Sequence, residues 1–161
     1  MKDELRLLTE ELLAQGSEDD LNVLHHILLG LKGKNEGYYS SYVGAILNMK
    51  KEITPSSCSV KVPITKALNN SLDIVHGGMT ATILDTAMGT LANLLAPEGY
   101  GAVTSQLTIH YLLPVQGEEM AAEAHIIHQG NKTMVIEGVI FSPEGKRLAH
   151  ATGTFYLLTL P

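Results

Sequence analysis

A chain of 161 residues, 45% hydrophobic and 17% charged, has the length and apolar content to pack one core. Lys and Arg number 11 against 17 Asp and Glu, a formal net charge of −6, which argues against a general nucleic-acid binder. The single cysteine, Cys58, cannot form an internal disulfide, no Cys/His spacing suggests a metal, and no apolar run is long enough to span a membrane.

The start, Met1-Lys2-Asp3-Glu4, is charged and lacks an apolar signal core. The default expectation is a cytoplasmic protein with neither nucleic acid nor membrane as partner. Residues 2–33 read as two helices. Leu5, Leu8 and Leu12 form one stripe, and Gly16 ends the first helix. Ser17 is a good N-cap for the second, with Glu18, Asp19 and Asp20 in its first turn. Leu21, Leu24, Ile27, Leu28 and Leu31 then repeat at helical spacing, with His25 and His26 read as surface residues. Seven acids against four bases in residues 1–34 fit a packing extension or an oligomer contact better than a DNA-reading arm. The chain therefore divides into a helical extension, 1–36, and a main domain, 37–161.

Residues 37–65 turn to strand chemistry. Tyr38, Tyr39 and Tyr42 lead in, and Ile46, Ile53, Val60, Val62 and Ile64 follow among polar residues. Pro55 interrupts the run and predicts two strand segments or an edge position. A loop over 66–75 contains Asn69, Asn70 and Asp73. Then come His76, Gly77 and Gly78, where the backbone can approach a ligand with no side chain in the way. A helix starts there, over about 77–95, and its first amides lack intrahelical partners. They suit a carbonyl to be polarised or an oxyanion to be held. Pro97-Glu98-Gly99 ends the helix.

Asp85 lies about two turns into this helix. Its face, Gly78, Ala81, Asp85, Gly89, Ala92 and Ala96, carries only small residues around the carboxylate. The opposite stripe, Leu84, Met88, Leu91 and Leu95, reads as core. A small face lets another backbone or a thin ligand come close to the acid.

Four strand-like runs complete the chain. In 102–113, Val103, Ser105, Leu107, Ile109, Tyr111 and Leu113 alternate with Thr104, Gln106, Thr108 and His110. In 118–128, Met120, Ala122, Ala124 and Ile126 share one face. Gly130-Asn131 is a turn signal before 132–141, and Ser142-Pro143-Glu144-Gly145 is another before 147–159. His110, His125, His128, His150, Tyr111 and Tyr156 read as structural. Short connections predict antiparallel pairing, and the apolar helix predicts a sheet that curls around it, an α+β plan.

These residues resemble the hotdog-fold acyl-CoA thioesterases, in particular the phenylacetate-degradation thioesterase-like branch, over roughly residues 40–158. The resemblance rests on Asn70, then His76-Gly77-Gly78, then Asp85, then the run from Val103 to Pro114. It implies that Asp85 acts as nucleophile or general base on a thioester carbonyl, which the Gly77 amide polarises. It implies that Asn70 and His76 help to place the thioester and the reacting water, and that Thr104 hydrogen-bonds the water or the carboxylate. It further implies a site built across a homodimer, with dimers pairing into tetramers. No cofactor is expected, since coenzyme A is part of the substrate.

Coenzyme A is polyanionic, and in an acidic protein its cations must be local. Lys132 and Lys146 with Arg147 are candidates, with Gly78, Asn131 and Thr133 as further substrate-binding positions; solvated hairpin ends explain the cations equally well. Two other readings are a non-catalytic acyl-CoA sensor, disfavoured by the short acidic extension, and a hydroxyacyl-thioester dehydratase, for which no paired His and acid appear at the helix start.

Overall fold

In the computed structural model, which describes residues 1–160, the most apolar of the long helices is wrapped by a single antiparallel sheet. That helix, α4, spans Gly77–Leu95, as its small-residue start and Pro97 stop predict. The described residues fall into two compact units.

The first unit comprises Met1–Met49 with Thr65–Ala67. It holds α1 (Lys2–Gln15), α2 (Glu18–Asn35) and the short α3 (Tyr42–Ile46). Ser17 caps α2 as expected: its Oγ accepts from the Asp20 amide at 3.2 Å, while Asp20 Oδ2 accepts from the Ser17 amide at 3.0 Å. Residues 42–46, expected to lead into a strand, are helical. Ser41 Oγ accepts from the Gly44 amide at 3.1 Å and starts the turn, which packs against α2. The α1 stripe is different, for no residue of α1 is buried.

His26 is not a surface residue. It is half-buried, its carbonyl accepts from Asn48 Nδ2 at 2.9 Å, and burial holds its pKa below the ordinary 6.5.

The second unit takes Lys50–Ile64 and everything from Leu68 onward. Its strands are β1 (Lys50–Ile53), β2 (Ser57–Pro63), β3 (Tyr100–Tyr111), β4 (Glu119–Gln129), β5 (Thr133–Phe141) and β6 (Arg147–Thr159). They pair in the order β1-β2-β4-β5-β6-β3. Pro55 separates β1 from β2, and β1 is an edge, as read from the sequence. The segment from β4 to β6 is a meander of hairpins, while β3, which follows the helix, closes the far edge.

The core lies between the sheet and α4. Val60, Val62, Met120, Met134, Ile136, Ile140 and Phe155 face Ile83, Leu84, Met88 and Leu91, all at most 1% exposed. Each such large side chain contributes about 1.5–3 kcal/mol by leaving water. The sheet approaches closely at Gly153, where an added Cβ would lie 2.8 Å from the Phe155 ring and 3.5 Å from Met88 Cε.

Strand β3 departs from the regular alternation that its sequence suggests. Its register against β6 shifts between Thr104 and Gln106, which pair with the successive residues Phe155 and Thr154. Ser105 is the extra residue of this bulge, and its Oγ donates to the Thr154 carbonyl at 3.0 Å. The bulge reverses the parity of the strand. Thr104, expected opposite Leu107, Ile109 and Tyr111, shares their face instead, because Phe155, Gly153, Ala151 and Ala149 are the inward residues of β6. The outer edge of β3 has no partner strand among the described residues.

Two outcomes follow from this packing. Gly153→Ala is expected to lower stability by about 1–3 kcal/mol through overpacking, and Phe155→Ala by about 3–5 kcal/mol through a cavity. Urea unfolding measures both, and a wild-type midpoint for either contradicts the packing described. The first unit is expected to lose stability as pH falls through 6.5, because the unfolded chain protonates His26 more readily than the folded one does. His26→Gln is expected to flatten that profile in pH-dependent unfolding followed on this unit; an unchanged profile contradicts it.

Candidate active site

Helix α4 carries two polar stations. The first is its N-terminus. His76 is the N-cap, and its Nδ1 accepts from the Gly78 amide at 2.9 Å. A neutral ring bonded this way carries its proton on Nε2. The His76 amide donates to the Leu68 carbonyl at 2.8 Å, and the His76 carbonyl accepts from Met79 and Thr80 at 2.9 and 3.2 Å. The peptide bonds are trans, so N–H and C=O point in opposite directions. Since the His76 carbonyl points into the helix, the Gly77 N–H points out of it, and it donates to no group among the described residues. The Gly78 amide is engaged by the histidine ring. What Gly78 offers a ligand is therefore its missing side chain.

The loop before the helix is held by Asn70. Its Oδ1 accepts from the Leu72 amide at 2.8 Å, and its own amide donates to the Ile74 carbonyl at 2.8 Å. Asp73 follows in the left-handed region, with φ of 58°. Asn70 and Gly77 border a cleft of about 320 Å³ whose remaining walls are largely apolar, including Ile74, Val75 and the segment 112–115.

The second station is Asp85, half-buried among the small residues of its face. Thr104 Oγ1 donates to Asp85 Oδ1 at 2.8 Å. The bulge at Ser105 makes this possible, because it turns Thr104 towards the helix along with Tyr111. The bond engages one carboxylate oxygen and leaves the other for chemistry.

The two stations do not meet within one chain. Eight residues of helix separate Gly77 from Asp85, a rise of about 12 Å, and the two positions differ by about 80° around the axis. A carbonyl held at hydrogen-bond distance, about 3 Å, from the amide is out of reach of the carboxylate of the same chain.

The cationic candidates lie apart as well. Asn131 and Lys132 are in the turn before β5 and Thr133 is its first residue, while Lys146 and Arg147 are at the turn after it. The nine residues of β5 put about 25–30 Å between these groups. Thr133 pairs with Tyr156, which pairs with Val103, so this end of β5 is level with Thr104. The other end, where Ala149 pairs with Tyr111, is level with Gly77. His150 Nε2 is 3.1 Å from Glu137 Oε2 and its ring stacks on His110, a cross-strand contact on the outer face of the sheet. Among the described residues no group of His, Cys, Asp or Glu is arranged to hold a metal ion.

The sequence reading missed Tyr111. Its hydroxyl donates to the Gly77 carbonyl at 3.1 Å, and its ring walls the cleft. Alternation alone puts Thr104 and Tyr111 on opposite faces; only the bulge, which no glycine announces, puts both beside α4.

Comparison with known proteins identifies the family. The Thioesterase superfamily profile matches residues 72–149. The chain is 31% identical over 106 residues to acyl-coenzyme A thioesterase 13 of Mus musculus, covering 64% of this chain and 74% of that protein. It is 32% identical over 91 residues to the acyl-coenzyme A thioesterase PaaI of Escherichia coli, covering 56% of this chain and 63% of that one. A Bacillus halodurans protein crystallised with CoA is similar in structure, with a TM-score of 0.88, 38% identity, and coverage of 98% of this chain and 100% of that one. The profile match runs from the loop before α4 to the start of β6, through His76, Gly77, Asp85 and Thr104, and the chain belongs to the thioesterase superfamily with its hotdog fold.

Proposed function

We propose that the protein hydrolyses acyl-CoA thioesters to free acid and CoA, in sites that two copies of the chain share. The observation that carries this reading is the pair of stations on α4. One is an outward Gly77 N–H, the other a carboxylate oriented by Thr104, and they lie too far apart to act on one carbonyl within a chain. A second copy supplies the missing half of each.

The unpaired edge of β3 supports such a pairing. It is twelve residues long, and Tyr100 and Tyr111 at its two ends are 41% and 56% exposed. A bare edge of this length is covered when a second copy adds its own β3 in antiparallel fashion. Pairing centred on Thr108, with Ser105 bulged out of the ladder, sets Thr104 of one copy across from Tyr111 of the other. The carboxylate station of each chain then lies beside the glycine station of its partner. The same reversal brings the Lys132 end of one copy towards the Lys146 and Arg147 end of the other, so the separated cations line one composite site.

In that site the Gly77 N–H donates to the thioester oxygen and stabilises the charge that grows there. Asp85 acts on the carbonyl carbon, as nucleophile or as base towards water, and Thr104 holds the carboxylate in place by donating to Oδ1. Asn70 fixes the loop, and His76 holds Gly78 so that Gly77 is presented. The thiolate of CoA leaves readily, so one carboxylate and one oxyanion donor suffice without a Ser-His-Asp set. The largely apolar cleft beside Gly77 suits the uncharged parts of the ligand, and Lys132, Thr133, Asn131, Lys146 and Arg147 suit its phosphates. The reaction calls for no cofactor, CoA being part of the substrate.

Thiol release from a panel of short, medium and aromatic acyl-CoAs tests the activity. Asp85→Asn is expected to lower kcat by about 10²–10³ with the melting temperature kept, the scale of losing an essential proton-transfer group. Undiminished turnover would reassign the acid. Thr104→Val is expected to cost roughly tenfold in kcat, the value of one charge-assisted hydrogen bond. Lys132→Ala is expected to raise KM by about threefold to tenfold at low salt while kcat holds, as for a rim contact to a phosphate. An unchanged KM at low salt removes Lys132 from the site.

A further inference from the structure

Tyr111 has no role in the site as the sequence presents it, yet it is bound to the peptide next to the polarising amide. Its hydroxyl donates to the Gly77 carbonyl at 3.1 Å. Its ring lies against the same residue, since a methyl placed on Gly77 would be 3.4 Å from Tyr111 Cε1.

The Gly77–Gly78 peptide is thus gripped at both ends. Its N–H donates to His76 Nδ1 at 2.9 Å, and its C=O accepts from Tyr111. Two successive glycines have the widest backbone freedom a chain can have. The Gly77 N–H lies in the preceding peptide, whose carbonyl accepts from Met79 and Thr80, and the Gly77 φ and ψ couple the two peptide planes, so a loose second peptide loosens the donor. An oxyanion donor is effective only when held in place beforehand. His76 fixes the far side of that peptide and Tyr111 the near side. The geometry points to Tyr111 as a positioning residue for thioester hydrolysis, one that locks the glycine pair so that the Gly77 N–H meets the carbonyl oxygen.

This inference rests on the proposed use of Gly77 as the carbonyl-polarising donor. Tyr111 itself touches no reacting atom in this account; it acts through the backbone. Strand β3 brings it there through the Ser105 bulge, which also delivers Thr104 to Asp85, so one irregularity serves both stations.

Tyr111→Phe keeps the ring and removes the hydroxyl. It is expected to lower kcat roughly fivefold, the value of one neutral hydrogen bond, with KM and inhibition by free CoA within about twofold of wild type and the melting temperature unchanged. Tyr111→Ala, which also removes the ring from Gly77, is expected to lower kcat further. Amide hydrogen exchange gives a readout that does not depend on turnover: the Gly78 N–H is expected to exchange faster in Tyr111→Phe than in wild type, with the rest of α4 unaltered. A Tyr111→Phe protein with wild-type kcat, or one whose only change is a KM that varies with the acyl chain, overturns the positioning role and leaves Tyr111 as a cleft wall. So does Gly78 exchange that matches wild type. An inactive wild-type protein would instead count against the proposed activity, and the exchange comparison would still decide whether Tyr111 fixes the glycine pair.

Discussion

The rise along α4 between Gly77 and Asp85 governs the chemistry open to this chain. A helix is rigid, and about 12 Å of it separates an unpartnered backbone donor from an oriented carboxylate. No rotamer of Asp85 closes such a gap. Either the two groups serve different ends, or a second copy completes each station. The bare edge of β3 and the mirrored placement of the cations along β5 support the second arrangement.

The remainder of the second unit keeps that spacing fixed. Ile83, Leu84, Met88 and Leu91 anchor α4 in the curl of the sheet, and Phe155 with Gly153 lets the sheet close on it. Stability and site geometry therefore share residues. Thr104 pairs with Phe155, the largest fully buried side chain, so the strand that presents its hydroxyl to Asp85 is seated on the centre of the core. The polar groups of the site sit on the rim of this rigid frame, where they cost little desolvation and stay open to a ligand.

Much of this was legible in the sequence. The bounds of α4 followed from a glycine pair at its start and a proline after its end, and the sheet's curl followed from a helix apolar on most of its surface. The hairpins were marked by Gly130-Asn131 and by Ser142-Pro143-Glu144-Gly145. Family resemblance left Thr104 bonding either the water or the carboxylate, and in the structure it donates to Asp85 Oδ1 at 2.8 Å. What escaped was tertiary. Residues 42–46 fold as a helix because Ser41 caps them and α2 packs on them, which outweighs the strand preference of Tyr42, Val43 and Ile46. The Ser105 bulge carries no glycine, so period-two reading put Thr104 on the wrong face and hid the link between Tyr111 and Gly77. His26 looked superficial because its burial comes from residues about twenty positions later in the chain.

The sharing of each site between two copies is tested most directly by complementation. Gly77→Pro removes the amide hydrogen, at a first-turn position where proline is well tolerated and after an extended His76, and the carbon it adds at Cβ comes 3.4 Å from Tyr111 Cε1, ordinary contact. Co-expression of that chain with an Asp85→Asn chain, each inactive alone and each carrying its own tag, gives mixed dimers with one intact site. The account predicts that purified mixed dimers recover about half the wild-type kcat per dimer, one site of two. Mixed dimers as inactive as the parents would contradict it, and would mean that the donor and the acid must come from the same chain.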